Sequence, residues 1–189
     1  MTIDANVYWL PDELFTDQSV LDAFIRSVPR EYDVHALAYV NDAGDAAIRI
    51  EKPLGCENLN YFASDYKLEK QLSDMDAGGI DKAVMKLPGC QEWLTLELCR
   101  TFNDAAAKHA RESGGRLCAL AVVPPFGDAA CLRELDRCVH ELGMTGVNDP
   151  FNRRPYGVQA SDDLRAFLTE LSWRRMDVPA LRDGDAFYL

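Results

Sequence analysis

The sequence predicts an α/β fold built from βα units, in which short strands alternate with helices. Three observations support this prediction. Helical stretches end in glycine, the strands that follow them are short and apolar, and several of these strands end at proline. The alternation recurs at intervals of about 30 residues, which is the length of a βαβ unit. Strands that are apolar throughout indicate a parallel sheet buried on both faces.

The first third of the chain is predicted to hold a strand, a helix, a hairpin and a loop. The helix has apolar residues at helical spacing and ends before Pro29. The hairpin has Gly44 in a polar turn between two apolar runs. In chain order these elements are expected at residues 3–10 (strand), 17–27 (helix), 35–40 and 46–50 (hairpin) and 52–62 (loop).

After residue 64 the pattern becomes regular. Glycines such as Gly78, Gly114 and Gly143 stand where helices end, which is typical of C-caps. The elements are predicted in this order: helix 64–77, strand 80–87, helix 91–111, strand 117–123, helix 128–142, strand 144–148, helix 161–174 and strand 178–181.

Composition and charge disfavour several classes of function. With 189 residues, 48% of them hydrophobic, the chain can bury the core of one domain. Its net charge of -11 disfavours binding to nucleic acids and to anionic membranes. No apolar run is long enough to span a bilayer, and the first residues lack the pattern of a signal peptide. We therefore expect a cytoplasmic protein with six reduced cysteines.

Two parallel arrangements fit this pattern: an open doubly wound sheet and a (β/α)8 barrel. No G-x-G-x-x-G follows the first strand and there is no P-loop, which disfavours a nucleotide-binding doubly wound sheet. A full barrel takes about 250 residues, so this chain has room for about five of the eight strands.

Five stretches, in order along the chain, resemble the amidohydrolase-related family, in the branch that contains aminocarboxymuconate-semialdehyde decarboxylase and aromatic-acid decarboxylases. They read IDANVYWLP at 3–11, LEKQLSDMDAGGIDKAV at 68–84, FND at 102–104, GRLCALAVVPP at 115–125 and ELDRCVHELGMTGV at 134–147. The resemblance implies a (β/α)8 barrel with a divalent metal, usually zinc, at the carboxyl ends of the strands, and hydrolysis or decarboxylation of small acids. For this chain it implies a single domain over 1–189: a partial barrel of about five strands, truncated relative to the family, with residues 12–63 (the hairpin and a helix) inserted after the first strand.

The metal ligands that the resemblance implies are missing. Family members carry H-x-H on the first strand, where this chain has Asn6 and Tyr8, and a further histidine on the fifth strand, where it has Leu181, Arg182 and Asp183. An amide and a phenol are poor substitutes for imidazole at zinc. We therefore expect no catalytic zinc and no cofactor, with a residual divalent metal as the alternative. The three histidines are expected in the hairpin (His35) and on the outer surfaces of helices (His109 and His140).

The active site of a parallel α/β barrel lies at the carboxyl ends of its strands, which selects the candidate residues. Lys86, between two apolar residues, is predicted to anchor a substrate carboxylate or to donate a proton, unless it only pairs with Asp4 or Asp149. Asp149 is predicted as a general base, unless it only initiates the turn before Pro150. The predicted catalytic residues are Lys86, Asp149 and Tyr8, and the predicted substrate-binding residues are Asn6, Asn148, Arg153, Arg182 and Trp93.

Two functions from different classes stay open. The first is a metal-independent lyase or hydrolase, of decarboxylase type, that acts on a small carboxylated or aromatic substrate. The second is an inactive accessory subunit or truncated pseudoenzyme that binds a partner. Both need the open edges of a partial barrel to be covered, since unpaired strands invite association. We expect a second copy, as in a dimer, or a full-length relative to cover them.

Overall fold

The computed structural model describes residues 1–124 and 128–148, which form five α-helices, two short 3-10 helices and seven strands. The helices are α1 (Glu13–Thr16), α2 (Gln18–Ser27), α3 (Leu68–Ala77), α4 (Leu96–Glu112) and α5 (Ala129–His140). The strands are β1 (Ile3–Tyr8), β2 (His35–Val40), β3 (Ala46–Glu51), β4 (Glu57–Phe62), β5 (Lys82–Lys86), β6 (Leu117–Ala121) and β7 (Gly146–Val147). The helix and strand predicted at 161–174 and 178–181 lie outside the described residues.

Four strands form a parallel sheet in the order β1-β5-β6-β7. Along the chain, each new strand of this sheet pairs with the previous one, so the sheet always grows in the same direction. A doubly wound sheet reverses its direction of growth at a switch point, whereas a barrel does not. The chain is therefore an α/β protein with the arrangement of a partial (β/α)8 barrel, as predicted.

The two faces of the parallel sheet differ in burial. Alternate residues of β5 and β6, such as Ala83, Met85 and Ala119, are buried in the hydrophobic core beneath the helices. The residues between them, such as Val84 and Lys86, are only half-buried. In a closed barrel this second face lines the interior. It carries the predicted site residues of β1 and β5.

The inserted segment differs from the prediction. It forms a three-stranded antiparallel sheet, β2-β3-β4, and not a two-stranded hairpin. The prediction of a loop at 52–62 was wrong for residues 57–62, which form β4 and pair with β3. The sequence of β4, ENLNYF, lacks clear alternation, and its first three residues are exposed. Pairing with β3 therefore specifies this edge strand more than its own pattern does.

The helix after β5 also begins later than predicted, at Leu96 and not at residue 91. Thr95 is its N-cap, and its hydroxyl accepts a hydrogen bond of 3.3 Å from the backbone of Leu98. Residues 87–95 consequently form a loop at the carboxyl end of β5. The buried Tyr61 of β4 donates a hydrogen bond of 2.8 Å to the carbonyl of Pro88 in this loop. The inserted sheet thus fixes the loop that follows Lys86.

All six cysteines are free thiols, and four of them are buried. Burial raises the pKa of the Cys90 thiol to about 12, so this group stays protonated at neutral pH. Among residues 1–124 and 128–148, no helix combines the length and apolar character needed to cross a bilayer. The cytoplasmic location stays a prediction.

Candidate substrate site at the carboxyl ends of the strands

Tyr8 and Lys86 are neighbours at the carboxyl ends of β1 and β5. The parallel register pairs Tyr8 directly with Lys86, so both side chains project from the same face of the sheet. The Lys86 ammonium lies over the Tyr8 ring, with Nζ 5.5 Å from the ring centroid. This distance is within the range of a cation–π contact. Sequence reasoning placed both residues at the carboxyl ends of the strands, and the structure brings them together.

Asn6 reaches this face through an irregularity in β1. The register shifts between Asp4 and Val7, so that one extra residue is accommodated opposite β5. The Asp4 carboxylate accepts a hydrogen bond of 2.8 Å from the backbone N–H of Asn6, which stabilises the bulge. Beyond the bulge, Asn6 and Tyr8 are exposed while Val7 is half-buried against the core. Asn6 therefore lies on the same face as Tyr8, as the period of two predicts.

The Lys86 ammonium has no carboxylate partner in the part of the chain that the structure describes. Its predicted alternative partner Asp4 makes no ion pair with it, and Asp149 lies outside the described residues. Lys86 is half-buried, and Tyr8 is 51% exposed. A cation that is anchored over an aromatic ring but not neutralised can still bind an anion.

Two further predicted substrate-binding residues are described. Asn148 follows β7 and is only 7% exposed. Its backbone donates a hydrogen bond of 2.7 Å to Ala121, while its side-chain Nδ2 is buried without a partner among the described residues. Trp93 is half-buried and packs against Phe24 of α2, with ring centroids 6.4 Å apart. Trp93 thus contributes to the core, with its indole N–H buried and unpartnered within the same described ranges.

Three predicted site residues, Asp149, Arg153 and Arg182, lie outside the described residues. Their roles as general base and as carboxylate-binding arginines stay predictions.

Sequence reasoning missed a buried polar cluster beside the carboxyl end of β6. The Asn103 carboxamide of α4 donates to the Val122 carbonyl at 2.9 Å and accepts from the Val122 N–H at 2.8 Å. It also donates to Glu134 of α5 at 2.9 Å, and Arg137 binds that carboxylate through two nitrogens. The cluster fixes the end of β6 relative to both helices. Its side chains lie in two of the stretches quoted above, FND at 102–104 and ELDRCVHELGMTGV at 134–147, but neither stretch showed that they meet.

The prediction that His109 lies on the outer surface was wrong. Its ring packs 5.3 Å from the ring of the buried Trp9, and its Nε2 lies 2.8 Å from Oε1 of Gln71. Burial lowers the pKa of His109 below its usual value of 6.5. His109 is half-buried because the side chain of Trp9, the residue that follows β1, packs against it on α4. His140 is exposed as predicted, and the half-buried His35 lies 2.8 Å from the Asp33 carboxylate.

The residues at the carboxyl ends of β1 and β5 do not fit a divalent metal. Asn6 and Tyr8 offer an amide and a phenol, the Asp4 carboxylate binds a backbone N–H, and the Lys86 ammonium repels a cation. Within the described ranges, no three His, Cys, Asp or Glu side chains are grouped to hold a metal ion. No chemical step is therefore assigned to a metal here, and metal independence stays a prediction.

A cavity between the sheet and α4 is too small for a substrate. It is lined by Trp9, Met85 and Phe102, among others, and measures about 10 Å³. That space suffices for about one water molecule.

Comparison with known proteins finds curated decarboxylases to which part of this chain is similar. Gamma-resorcylate decarboxylases from Rhizobium radiobacter and from Rhizobium sp. (strain MTP-10005) are each 29% identical to it over 107 residues, which cover 48% of this chain and 33% of the relative. The chain thus spans about a third of the length of these curated relatives. No family model matches the chain.

A solved structure supports the fold. The 5-carboxyvanillate decarboxylase from Novosphingobium aromaticivorans, in complex with manganese and 4-hydroxy-3-methoxy-5-nitrobenzoic acid, superposes with a TM-score of 0.50 at 18% identity. The match covers 93% of this chain and 47% of that protein. The curated relatives confirm the resemblance to decarboxylases that the sequence motifs predicted, and the solved structure confirms the fold.

Proposed function

We propose that this chain forms a binding site for small aromatic carboxylates, and that it acts on them as a metal-independent lyase of decarboxylase type. One observation carries the proposal: the Lys86 ammonium lies over the Tyr8 ring, without a carboxylate partner among the described residues, at the carboxyl ends of parallel strands. This is the edge at which barrel enzymes bind their substrates.

The chemistry of the pair matches an aromatic acid. A substrate carboxylate would pair with the Lys86 ammonium, while its ring would lie beside Tyr8. The names of the similar proteins support the same class, because gamma-resorcylate and 5-carboxyvanillate are both aromatic carboxylates. A half-exposed ion pair contributes only about 0–1 kcal/mol, and so does an exposed cation–π contact. We therefore expect weak binding, with a Kd above about 1 mM, the value that needs about 4.1 kcal/mol.

Decarboxylation at this site would proceed by proton transfer to the substrate ring. The Tyr8 phenol gives its proton to the ring carbon that bears the carboxylate. The bond from that carbon to the carboxylate then breaks, carbon dioxide leaves, and the electron pair of the bond restores the aromatic ring. The Lys86 ammonium offsets the negative charge left on the Tyr8 oxygen. Binding of the substrate carboxylate by Lys86 alone would not raise the rate, since it stabilises the ground state as well.

A second function, an inactive binding subunit, is favoured by the exposure of this face. Tyr8 is 51% exposed, whereas a catalytic pocket normally excludes water from most of its ligand. We propose that a second copy covers the face, with a full-length relative as the alternative partner. Light scattering after size exclusion tests this proposal: a dimer supports the second copy, and a monomer at micromolar concentration contradicts it.

Titration of the full chain with gamma-resorcylate tests the site. Lys86→Met removes the ammonium and keeps the length of the side chain. Lys82→Met is a matched control, because Lys82 lies on the same strand and face but at the opposite end. We expect Lys86→Met to weaken binding by up to about fivefold and Lys82→Met to leave it unchanged. Equal affinity in both variants, or no binding by the unaltered chain, would overturn the proposal.

A further inference from the structure

The peptide group between Tyr8 and Trp9 is held at both of its polar atoms. The N–H of Trp9 donates to the carbonyl of Lys86 at 3.0 Å. The carbonyl of Tyr8 accepts from Nε2 of Gln71 at 3.1 Å. Because both ends are bonded, the plane of this peptide cannot rotate freely, and the direction in which the Tyr8 side chain leaves the strand is fixed.

Gln71 itself is fixed by His109. A carbonyl oxygen can only accept, so the amide nitrogen of Gln71 must face Tyr8 and its Oε1 must face His109. His109 therefore carries a hydrogen on Nε2 and donates it across 2.8 Å. The same imidazole packs against the Trp9 ring, 5.3 Å away. His109 thus restrains the residue that follows Tyr8 as well as the amide that binds the Tyr8 carbonyl.

We infer that Gln71 and His109 are positioning residues for the Tyr8–Lys86 pair. They lie on α3 and α4, on the helix side of the sheet, and act through the Tyr8–Trp9 peptide on a ring that projects from the opposite face. This inference rests on the proposed function only in so far as the Tyr8–Lys86 pair is the proposed ligand site.

The burial of Gln71 supports a specific role for its amide. Gln71 is 6% exposed, in a position of α3 where an apolar side chain would satisfy packing. A buried amide is tolerated when it makes hydrogen bonds. The Gln71 amide makes one hydrogen bond to the Tyr8 carbonyl and one with the His109 ring. The neighbouring Leu72 is half-buried against the core and makes no such connection.

The proton resonances of the Lys86 ε-methylene group report the pair directly, because the Tyr8 ring current shifts them. We would record them in the full chain and in four variants. Gln71→Met keeps the length of the side chain without its N–H, and His109→Phe keeps the ring against Trp9 without a donor. His109→Gln restores a donor, and Leu72→Ala loosens the packing of α3 but leaves the Gln71 amide in place.

The inference predicts that the ring-current shift is lost in Gln71→Met and His109→Phe, and retained in His109→Gln and Leu72→Ala. Loss of the ring-current shift in Leu72→Ala as well would show that Gln71 has a merely structural role, and it would overturn the inference. An unchanged shift in Gln71→Met would also overturn the inference. The affinity for gamma-resorcylate is measured on the same samples and should fall in Gln71→Met by at most about fivefold, as in Lys86→Met. If neither the unaltered chain nor any variant binds gamma-resorcylate, the proposed function fails. The shift of the Lys86 resonances still tests whether Gln71 and His109 position the Tyr8–Lys86 pair.

Discussion

Asn103 donates a hydrogen bond of 2.9 Å to the carboxylate of Glu134, and both residues are almost completely buried, at 1% and 2% exposed. This contact joins α4 to α5 in the core. It also determines how the carboxyl end of β6 is held, since the same Asn103 amide pairs with the backbone of Val122.

Replacement of Asn103 should destabilise the protein strongly. Asn103→Ala removes both hydrogen bonds to Val122 and leaves the buried N–H and carbonyl of Val122 without these partners, while the Glu134 carboxylate loses one donor and keeps Arg137. We expect a loss of about 2–4 kcal/mol in the free energy of unfolding, measured by urea denaturation. The adjacent Asp104→Ala, which removes a half-exposed ion pair with Arg137, is the control and should cost at most about 1 kcal/mol. Equal costs would contradict the assigned role of Asn103.

Glu134 should make stability depend on acid pH. Burial alone would raise its pKa, but hydrogen bonds from Arg137 and Asn103 outweigh burial and hold the pKa below the usual 4.5. The unfolded chain therefore takes up a proton first, so stability is lost as the pH falls from about 4.5 through the native pKa. Glu134→Gln should show a shallower loss in this range by urea denaturation. An equal loss of stability in the unaltered chain and in Glu134→Gln would exclude Glu134 as the cause of the acid dependence.

His109 should add a second dependence at higher pH. Its folded-state pKa is lowered by burial, although Glu112 and Glu69 oppose this effect. The contribution of His109 to stability is complete above its unfolded pKa of about 6.5 and is lost as the pH falls through the lower, native value. Urea denaturation at pH 7.5 and 5.5 should therefore show a smaller difference in His109→Gln than in the unaltered chain. An unchanged difference would contradict the half-buried position of His109.

Tyr61 should stabilise the loop that follows Lys86. Its hydroxyl is buried and donates to the Pro88 carbonyl at 2.8 Å. Tyr61→Phe removes this bond and leaves the carbonyl unpaired, so we expect a loss of about 1–2 kcal/mol and faster amide exchange at Gly89 and Cys90. Tyr39→Phe is the matched control, since the Tyr39 hydroxyl makes only a long contact of 3.4 Å. Unchanged exchange in Tyr61→Phe would show that the inserted sheet does not restrain this loop.

The parallel layer was predictable from sequence because its strands bury one whole face. The runs that became β5 and β6 are apolar and are bounded by glycine and proline, so their position follows from local pattern. The same pattern placed Tyr8 and Lys86 at one edge, since parallel strands bring their carboxyl ends together, but it did not predict their cation–π contact. By contrast, β4 carries no such pattern and depends on pairing with β3.

The contacts of His109 and Gln71 had no local signal in the sequence. The spacing of α4 indicated where its apolar face lies, but not that Trp9, far away in the chain, would cover His109. Gln71 belongs to α3, and only the tertiary fold places its amide under the Tyr8 carbonyl. Polar side chains that connect different elements are therefore the part of the site that pattern alone does not predict.

We propose that Lys86 and Tyr8 form an aromatic-carboxylate site that works without a metal. Release of labelled carbon dioxide from carboxyl-labelled gamma-resorcylate tests it most directly, in chelator-treated full chain and in Lys86→Met and Lys82→Met. We predict that release persists after chelation, is lost in Lys86→Met and is retained in Lys82→Met. Release that appears only when a divalent metal is added back, or that survives in Lys86→Met, would contradict a metal-independent role of Lys86.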